Sequence, residues 1–474
     1  MRRRKTKIVC TLGPSTDKEG ILEQLVLEGL NVARFNFSHG THEEQKARMD
    51  SLKEIRERLN LPIAALLDTK GPEIRLKHFV EGKVDLVEGD DFFLTSDDIE
   101  GTQEGVSVTY SDLYKDIKPG DTVLIDDGLV ALTVKKISGK KVECVVTNSG
   151  TISNQKSVNL PGVEVRMPFI SQKDLDDILF GIQEDFDFIA ASFVRTASDV
   201  REIRKILDDN GGQSLNIIAK IENQQGVDNI EEIIEVADGI MIARGDMGVE
   251  IPLEDVPIIQ KNIIRKVYNA GKQVITATQM LESMMTNPRP TRAEATDVAN
   301  AIYQGTSAIM LSGETAAGKY PLESLRTMVR IAIRTEADID YFGLFTSRGK
   351  EEKPDMTIAI SHATVMTAMD LGAKTIITVS KTGRTARMIS KYRPECKIVG
   401  CSPDIKACRK LNMSWGVYPV TITEEYSMEV LFLRAIERAR AEGYVEKGDV
   451  VVLTAGIPLG RPGQTNLIKA EIVE

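Results

Sequence analysis

Aromatic residues are scarce in this 474-residue chain, at 5% with one tryptophan, and it holds only four histidines and five cysteines. Cys10, Cys144, Cys396, Cys401 and Cys408 are scattered without paired metal or disulfide spacing, which argues against a zinc site or a disulfide framework. They read as reduced, buried thiols of a cytoplasmic protein. No stretch approaches the roughly 18 consecutive apolar residues that a membrane span needs. The basic start, residues 1–5, is followed by Thr11, Gly13 and Pro14 rather than a long apolar run, so it reads as a lead-in to a strand and not as a signal peptide. A net positive charge is also missing. At −10 the chain is a poor general partner for nucleic acid, although a local basic site for a small phosphorylated ligand stays open.

What is there is ordinary globular composition, 42% hydrophobic and 27% charged, at a length that accommodates about three domains. Short apolar runs alternate with helical patterns, the mark of βα repeats around a parallel sheet. Eight strands are expected at 7–12, 32–37, 63–68, 188–193, 216–222, 239–243, 273–277 and 307–311. Between them Ile21, Leu22 and Leu25, then Val200, Ile203 and Leu207, then Val256, Ile259, Ile263 and Val267 recur at helical spacing. Eight such units predict a (β/α)8 TIM barrel, whose functional groups gather at the carboxyl ends of its strands.

The gap between the third and fourth strands is far longer than the others and reads as an inserted β-rich module, with strands near 84–87, 122–125, 131–134 and 142–146. A β-barrel-like lid over the barrel mouth is the expectation. A linker-like stretch at 346–354 opens a last region, where 375–380, 397–401, 416–420 and 450–454 alternate with helices as an open α/β sheet. The expected division is therefore 1–70 with 169–337 as the barrel, 71–168 as the insert and 338–474 as the C-terminal domain.

Two apolar runs end abruptly on charge, at Lys220 and Glu222 and at Arg244 and Asp246. Buried ions cost several kcal/mol each unless paired. Strand alternation puts Lys220 and Glu222 on one side, and Asp246 lies at the end of the next strand. Glu222 and Asp246 suit Mg²⁺, which is often held by two carboxylates and oxygens of water or substrate. An ion pair between Lys220 and Glu222 that fills a barrel layer is the open alternative. Arg34, Asn36 and Ser38 also share a face: a guanidinium suits phosphate, and amide and hydroxyl oxygens suit a weakly held cation. His39 reads as a structural donor. Asp68 and, beyond it, Glu73 and Arg75 mark the hinge of the insert, or else a charged turn. Hydroxyls at Thr278 and Ser312 could relay a proton or cap a helix.

At these residues the chain resembles the pyruvate kinase family. The matching segments are 5–14, 31–40, 68–75, 219–222, 243–248, 277–282 and 311–315, in order along almost the whole chain. The resemblance implies phosphoryl transfer from phosphoenolpyruvate to ADP, giving ATP and pyruvate, with Mg²⁺ (or Mn²⁺) and K⁺ as cofactors. It implies that Arg34 clamps the phosphoryl group, that Lys220 neutralises it and the enolate, and that Glu222 and Asp246 hold Mg²⁺. The amides near Gly245 and Asp246 would take the substrate carboxylate. K⁺ would lie among Asn36, Ser38, Asp68 and the backbone of Thr69, and a glutamate at Glu73 goes with the K⁺-dependent members.

Thr278 would assist enolate protonation with Ser312 ordering water, and Arg75 would arrange the site under the lid. Pro14 and Lys173 match positions near the nucleotide. The turn Ser380-Lys381-Thr382-Gly383-Arg384-Thr385 resembles the phosphate pocket of a sugar-phosphate or nucleotide effector, whose identity the loop 460–464 leaves open. A homotetramer is implied, and a chain that ends at Glu474 with the three-domain core. Arg244, to which no transfer role carries over, is expected in a structural ion pair. Two rivals remain: a barrel lyase acting on a pyruvate enolate, which needs neither the insert nor the 68–75 stretch, and a silent effector-binding regulator, which the intact Arg34, Lys220, Glu222 and Asp246 oppose.

Overall fold

Eight parallel strands close into a barrel: Lys7–Thr11, Val32–Asn36, Ala64–Asp68, Phe188–Ala191, Asn216–Ile221, Gly239–Ala243, Gln273–Ala277 and Ala308–Leu311, each beside its neighbour in chain order. The structure, a computed structural model, describes residues 4–347, 355–459 and 465–474. Most of the linker-like stretch 346–354 and all of the loop 460–464 lie outside the described residues. The strands form because their residues are buried on both faces, as parallel sheets require. Ile8, Cys10, Ala33 and Ile217 turn outward against the helices, while Val9, Val32, Leu66, Ile218 and Met310 fill the barrel.

The strand ends expected at 188–193 are cut short at Ala191, because Phe193 turns into the left-handed region at φ 56. Cys396 is the exception among the thiols, half-buried where the other four are buried.

Between the third and fourth barrel strands runs a curled seven-stranded sheet, in the spatial order Ile74–Arg75, Ser157–Asn159, Thr122–Ile125, Val130–Ser138, Lys141–Val146, Asp91–Thr95 and Gly105–Ser107. Its two edges nearly meet, through a bridge between Leu76 and Val108 and the bond from Thr109 N–H to the Arg75 carbonyl at 2.9 Å. A core of its own, including Leu94, Val123, Ile125 and Val142, separates it from the barrel. The short strands at its margins were not foreseen, being two or three residues long with little alternation.

Chain exit and return are fastened at one point. Asp174, in the first turn of helix Gln172–Gln183, closes a capping box with Ser171 and accepts from the Gly71 amide at 3.0 Å. Gly71 sits at φ +72, and a Cβ there would stand 2.7 Å from that of Ser192, so both the backbone angle and the close approach require glycine.

The C-terminal region is a five-stranded sheet in the order Val417–Thr421, Lys397–Ser402, Thr375–Val379, Val450–Ala455 and Leu467–Ile472. The last strand runs antiparallel and was not anticipated, since its residues lie at an edge with few buried.

Candidate active site

The apolar filling of the barrel stops before the strand ends. Two positions beyond Val9, Val32, Leu66, Ala190 and Ile218, alternation brings Thr11, Arg34, Asp68, Ser192 and Lys220 onto the inner face. These five form one network. Arg34 Nε meets Asp68 Oδ2 at 2.6 Å, and its Nη1 donates to Thr11 Oγ1 at 3.0 Å. Lys220 Nζ reaches Asp68 Oδ1 at 3.0 Å, Ser192 Oγ at 2.7 Å and Glu222 Oε1 at 3.1 Å. Ser192 Oγ in turn donates to the Thr69 carbonyl at 2.7 Å, and Phe193 N–H donates to Glu222 Oε2 at 2.6 Å.

Charge explains why this layer tolerates burial. Burial works against the Asp68 carboxylate, but Arg34 and Lys220 outweigh it and hold its pKa below the ordinary value. Burial also opposes the Lys220 ammonium, and Asp68 and Glu222 reverse the effect, so its pKa is raised and it stays cationic. Glu222 is different: burial pushes it up to about 7, with Asp246 adding to the rise and Lys220 only partly offsetting it. Half-buried Asp246 is raised too, first by burial and then by Asp127.

Asp246 belongs to the short helix Arg244–Glu250 that follows the sixth strand. Its neighbour Gly245 donates N–H to Thr278 Oγ1 at 2.8 Å, and that hydroxyl donates to the Ala277 carbonyl at 2.6 Å. Thr278 has φ 66, a strained conformation for a β-branched residue. Arg244 props this turn, with Nη2 on the Thr278 carbonyl at 2.7 Å and Nη1 paired to Asp297 at 2.6 Å, which gives the ion pair expected of it. Ser312 Oγ is buried with no hydrogen-bond partner, while Ser312 N–H donates to Glu314 at 2.7 Å. On the other side of the mouth, Asn36 and Asp68 are register partners on adjacent strands, and Asn36 Oδ1 accepts from Ser38 N–H at 3.1 Å.

A cleft of about 500 Å³ opens between the insert and the barrel, walled by Glu73, Arg75, Asp127, Arg195, Asp246 and Glu250 among others. Arg75 joins Glu73 at 2.8 Å and the Gln155 carbonyl at 2.8 Å. Asn159 of the insert donates to Glu250 at 2.9 Å. Ser192, Thr11, Asp127, Arg195, Asn159 and Glu250 were missed from sequence. Only the first two carried a signal, the i+2 alternation beyond Ala190 and Val9.

Pro14 and Lys173 do not wall this cleft. Pro14 is exposed on the turn after the first strand, and the Lys173 ammonium is committed to Asp177 at 2.7 Å and the Phe37 carbonyl at 2.9 Å. The turn 380–385 stands far off in the C-terminal sheet. There Gly383 has φ 72 before helix Arg384–Lys391, Lys381 pairs with Glu424, Arg384 faces Asp355 at 3.7 Å, and the buried Thr385 hydroxyl lies 2.8 Å from that of Thr465.

Two family models match the chain: one described as "Pyruvate kinase, barrel domain" over residues 3–325 and one as "Pyruvate kinase, alpha/beta domain" over residues 358–470. A pyruvate kinase of Sporosarcina psychrophila is 51% identical over 472 residues, 99% of this chain and 80% of that protein. One of Clostridium acetobutylicum is 50% identical over 471 residues, 99% of this chain and all of that protein. Among solved structures, a pyruvate kinase of Cryptosporidium parvum superposes with a TM-score of 0.95 at 40% identity, covering 99% of this chain and 96% of that one.

Proposed function

The chain belongs to the pyruvate kinase family and transfers the phosphoryl group of phosphoenolpyruvate to ADP, giving ATP and pyruvate, and we propose that Arg34, Lys220, Glu222, Asp246 and Thr278 do the work. The observation that carries this assignment is the Lys220 ammonium, buried at the barrel mouth and kept cationic by Asp68 and Glu222. The family depends on a divalent cation and K⁺. Glu222 and Asp246 fit the first need: two neighbouring carboxylates, one buried and one half-buried, both raised in pKa, lack a full countercharge, and Mg²⁺ or Mn²⁺ would supply it. Such a cation, when bound, neutralises charge on the phosphoryl and enolate oxygens. Asn36, Ser38, Asp68 and the Thr69 carbonyl offer amide, hydroxyl, carboxylate and carbonyl oxygens on adjoining strands, a donor set that suits a weakly held monovalent ion.

Phosphoryl transfer needs positioning and charge neutralisation more than covalent help. Arg34 is fixed by Asp68 and Thr11 with part of its fork left for the phosphoryl oxygens. Lys220 follows the charge as it moves from the phosphoryl group to the enolate oxygen. The substrate carboxylate would take the amides of Gly245 and Asp246, displacing the bond that Gly245 now makes to Thr278. The Thr278 hydroxyl, which now donates to the Ala277 carbonyl, would turn from it to hand its proton to the enolate carbon and recover one from water, which the unpartnered Ser312 Oγ would order. Arg75 braces the hinge under the lid through Glu73 and the Gln155 carbonyl. ADP would enter the cleft between barrel and lid, whose wall includes neither Pro14 nor Lys173.

We further read residues 1–70 and 169–337, 71–168 and 338–474 as the three domains, in a cytoplasmic homotetramer. Exposed apolar side chains such as Leu253, Ile258 and Phe342 offer surface for such an assembly; no helix among the described residues is long and apolar enough to cross a membrane. Ser380, Lys381, Thr382, Gly383, Arg384 and Thr385 would hold the phosphate of an effector.

The test is pyruvate formation from phosphoenolpyruvate. It should require ADP and Mg²⁺ and fall to a small fraction when K⁺ is replaced by Na⁺. Activity without ADP would point to a lyase, and undiminished turnover in Na⁺ would remove the K⁺ assignment. A second expectation concerns pH. Because Glu222 holds its proton more tightly folded, at about 7, than unfolded, at the ordinary glutamate value of 4.5, the folded state binds more protons between these values. Metal-free protein therefore loses stability as pH rises through that window. Mg²⁺ binds the ionised pair, so the gain in Tm on adding Mg²⁺ to stripped protein should be larger above the window than below it. An equal or shrinking gain would contradict the pairing of Glu222 with the metal.

A further inference from the structure

The loop that carries Asn36 and Ser38 is held by side chains from outside it. Gln45, buried in helix His42–Arg58, donates from Nε2 to the carbonyls of Asn36 and His39, both at 3.0 Å. Lys173 Nζ donates to the Phe37 carbonyl between them at 2.9 Å. Three of the four carbonyls from Asn36 to His39 are thus occupied by side-chain donors. Lys173 is itself set by Asp177, whose buried carboxylate takes Lys173 Nζ at 2.7 Å on one oxygen and His42 Nε2 at 2.6 Å on the other. His42 stacks on Phe180 with ring centroids 4.5 Å apart, and the Phe37 ring packs against both.

The geometry has a consequence for cation binding. Asn36 ends its strand, and Phe37 and Ser38 lie in the turn that His39 N–H closes onto the Asn36 carbonyl at 3.4 Å, with the Phe37 ring packed against His42 and Phe180. The Lys173 bond to the Phe37 carbonyl holds the peptide plane that leads into Ser38, whose N–H donates to Asn36 Oδ1 at 3.1 Å. With the carbonyls of Asn36, Phe37 and His39 occupied, the loop offers a cation the Asn36 and Ser38 side-chain oxygens and the Ser38 carbonyl. We propose that Lys173, anchored by Asp177 and seconded by Gln45, is a positioning residue for the monovalent cation: it sets K⁺ affinity by fixing the loop 36–39, without touching nucleotide, substrate or ion. This rests on the assignment of Asn36 and Ser38 to K⁺.

Helix Gln172–Gln183 gives the frame a second connection, because Asp174, next to Lys173, takes the Gly71 amide at the hinge of the insert. The cation loop and the lid hinge are braced by adjacent residues of one helical turn.

The experiment follows the rise in Tm with KCl, balanced by choline chloride and without substrates, together with the K⁺ activation constant at saturating phosphoenolpyruvate, ADP and Mg²⁺. Lys173→Met should raise both K⁺ midpoints about tenfold, as loss of a charged hydrogen bond does. The Tm in choline alone and the KM for phosphoenolpyruvate at saturating K⁺ should stay near those of the parent, and Lys173→Arg should recover most of the affinity. Gln45→Met, which releases the two flanking carbonyls, should move the midpoints in the same direction. Asn36→Ala is the control. If it shifts the K⁺ midpoints while Lys173→Met and Gln45→Met leave them unchanged or lower them, the positioning role is overturned. If Asn36→Ala shifts nothing either, the K⁺ site itself is misplaced and the inference falls with it.

Discussion

Lys220→Met lowers kcat by at least about 10²-fold, the cost of removing a preorganised donor from a developing oxyanion, and changes the KM for phosphoenolpyruvate far less. The asymmetry follows from where charge moves. On the proposed assignment Arg34 and the divalent cation would hold the phosphate in the ground state, whereas the enolate oxygen gains its charge only as the bond to phosphorus breaks, and the Lys220 ammonium is the buried cation beside Asp68, Ser192 and Glu222. Methionine fills the same volume. It leaves Asp68 still paired with Arg34 at 2.6 Å, so the barrel should hold, as a circular dichroism melt will report. Steady-state kinetics decide the matter: a loss smaller than about tenfold would take Lys220 out of this role.

Glu222→Gln has two effects of opposite sign. Removing a metal ligand should raise the Mg²⁺ concentration for half-maximal activity by at least about 10²-fold, since even outer-sphere changes cost ten- to a hundredfold. The metal-free protein, meanwhile, should become more stable above the pH at which Glu222 ionises, about 7. A neutral amide needs no countercharge, and its oxygen can still accept from Phe193 N–H, which now donates to Glu222 at 2.6 Å. Stability given up for a functional charge is a common bargain. Mg²⁺ titration of activity and a thermal melt in chelator measure the two halves separately. An unchanged Mg²⁺ requirement, or a lower Tm in chelator, would show that Glu222 serves mainly as a structural partner of Lys220.

Much of this site is legible along the chain because a barrel converts period-two alternation directly into position. Arg34, Asn36 and Ser38, or Lys220 and Glu222, are placed by counting from the apolar residues before them. Ser192 and Thr11 obey the same rule but were overlooked, because a lone hydroxyl after an apolar run resembles a cap, and the turn at Phe193 breaks the pattern where it matters. The bond from Asn159 to Glu250 joins residues 91 apart. No spacing rule reaches across a domain interface. Lys173 shows another limit: the family resemblance put it near the nucleotide, while no spacing rule pointed to Asp177 and the Phe37 carbonyl, the partners it has in the fold. The edge strand Leu467–Ile472 stayed hidden because an exposed edge has little need of a hydrophobic pattern.

The pairing of Arg75 with Ser157 at the base of the insert also bears on how the barrel assembles. The third and fourth strands are separated by roughly 120 residues, and closing so long a loop is entropically uphill before any contact repays it. The insert has a core of its own and can condense first. Its base then brings the two severed ends together and shortens the effective loop to roughly a third, lowering the closure cost by about 1 kcal/mol on the logarithmic scaling. The module that covers the finished site is thus also a staple that helps the unfinished ring find its seam.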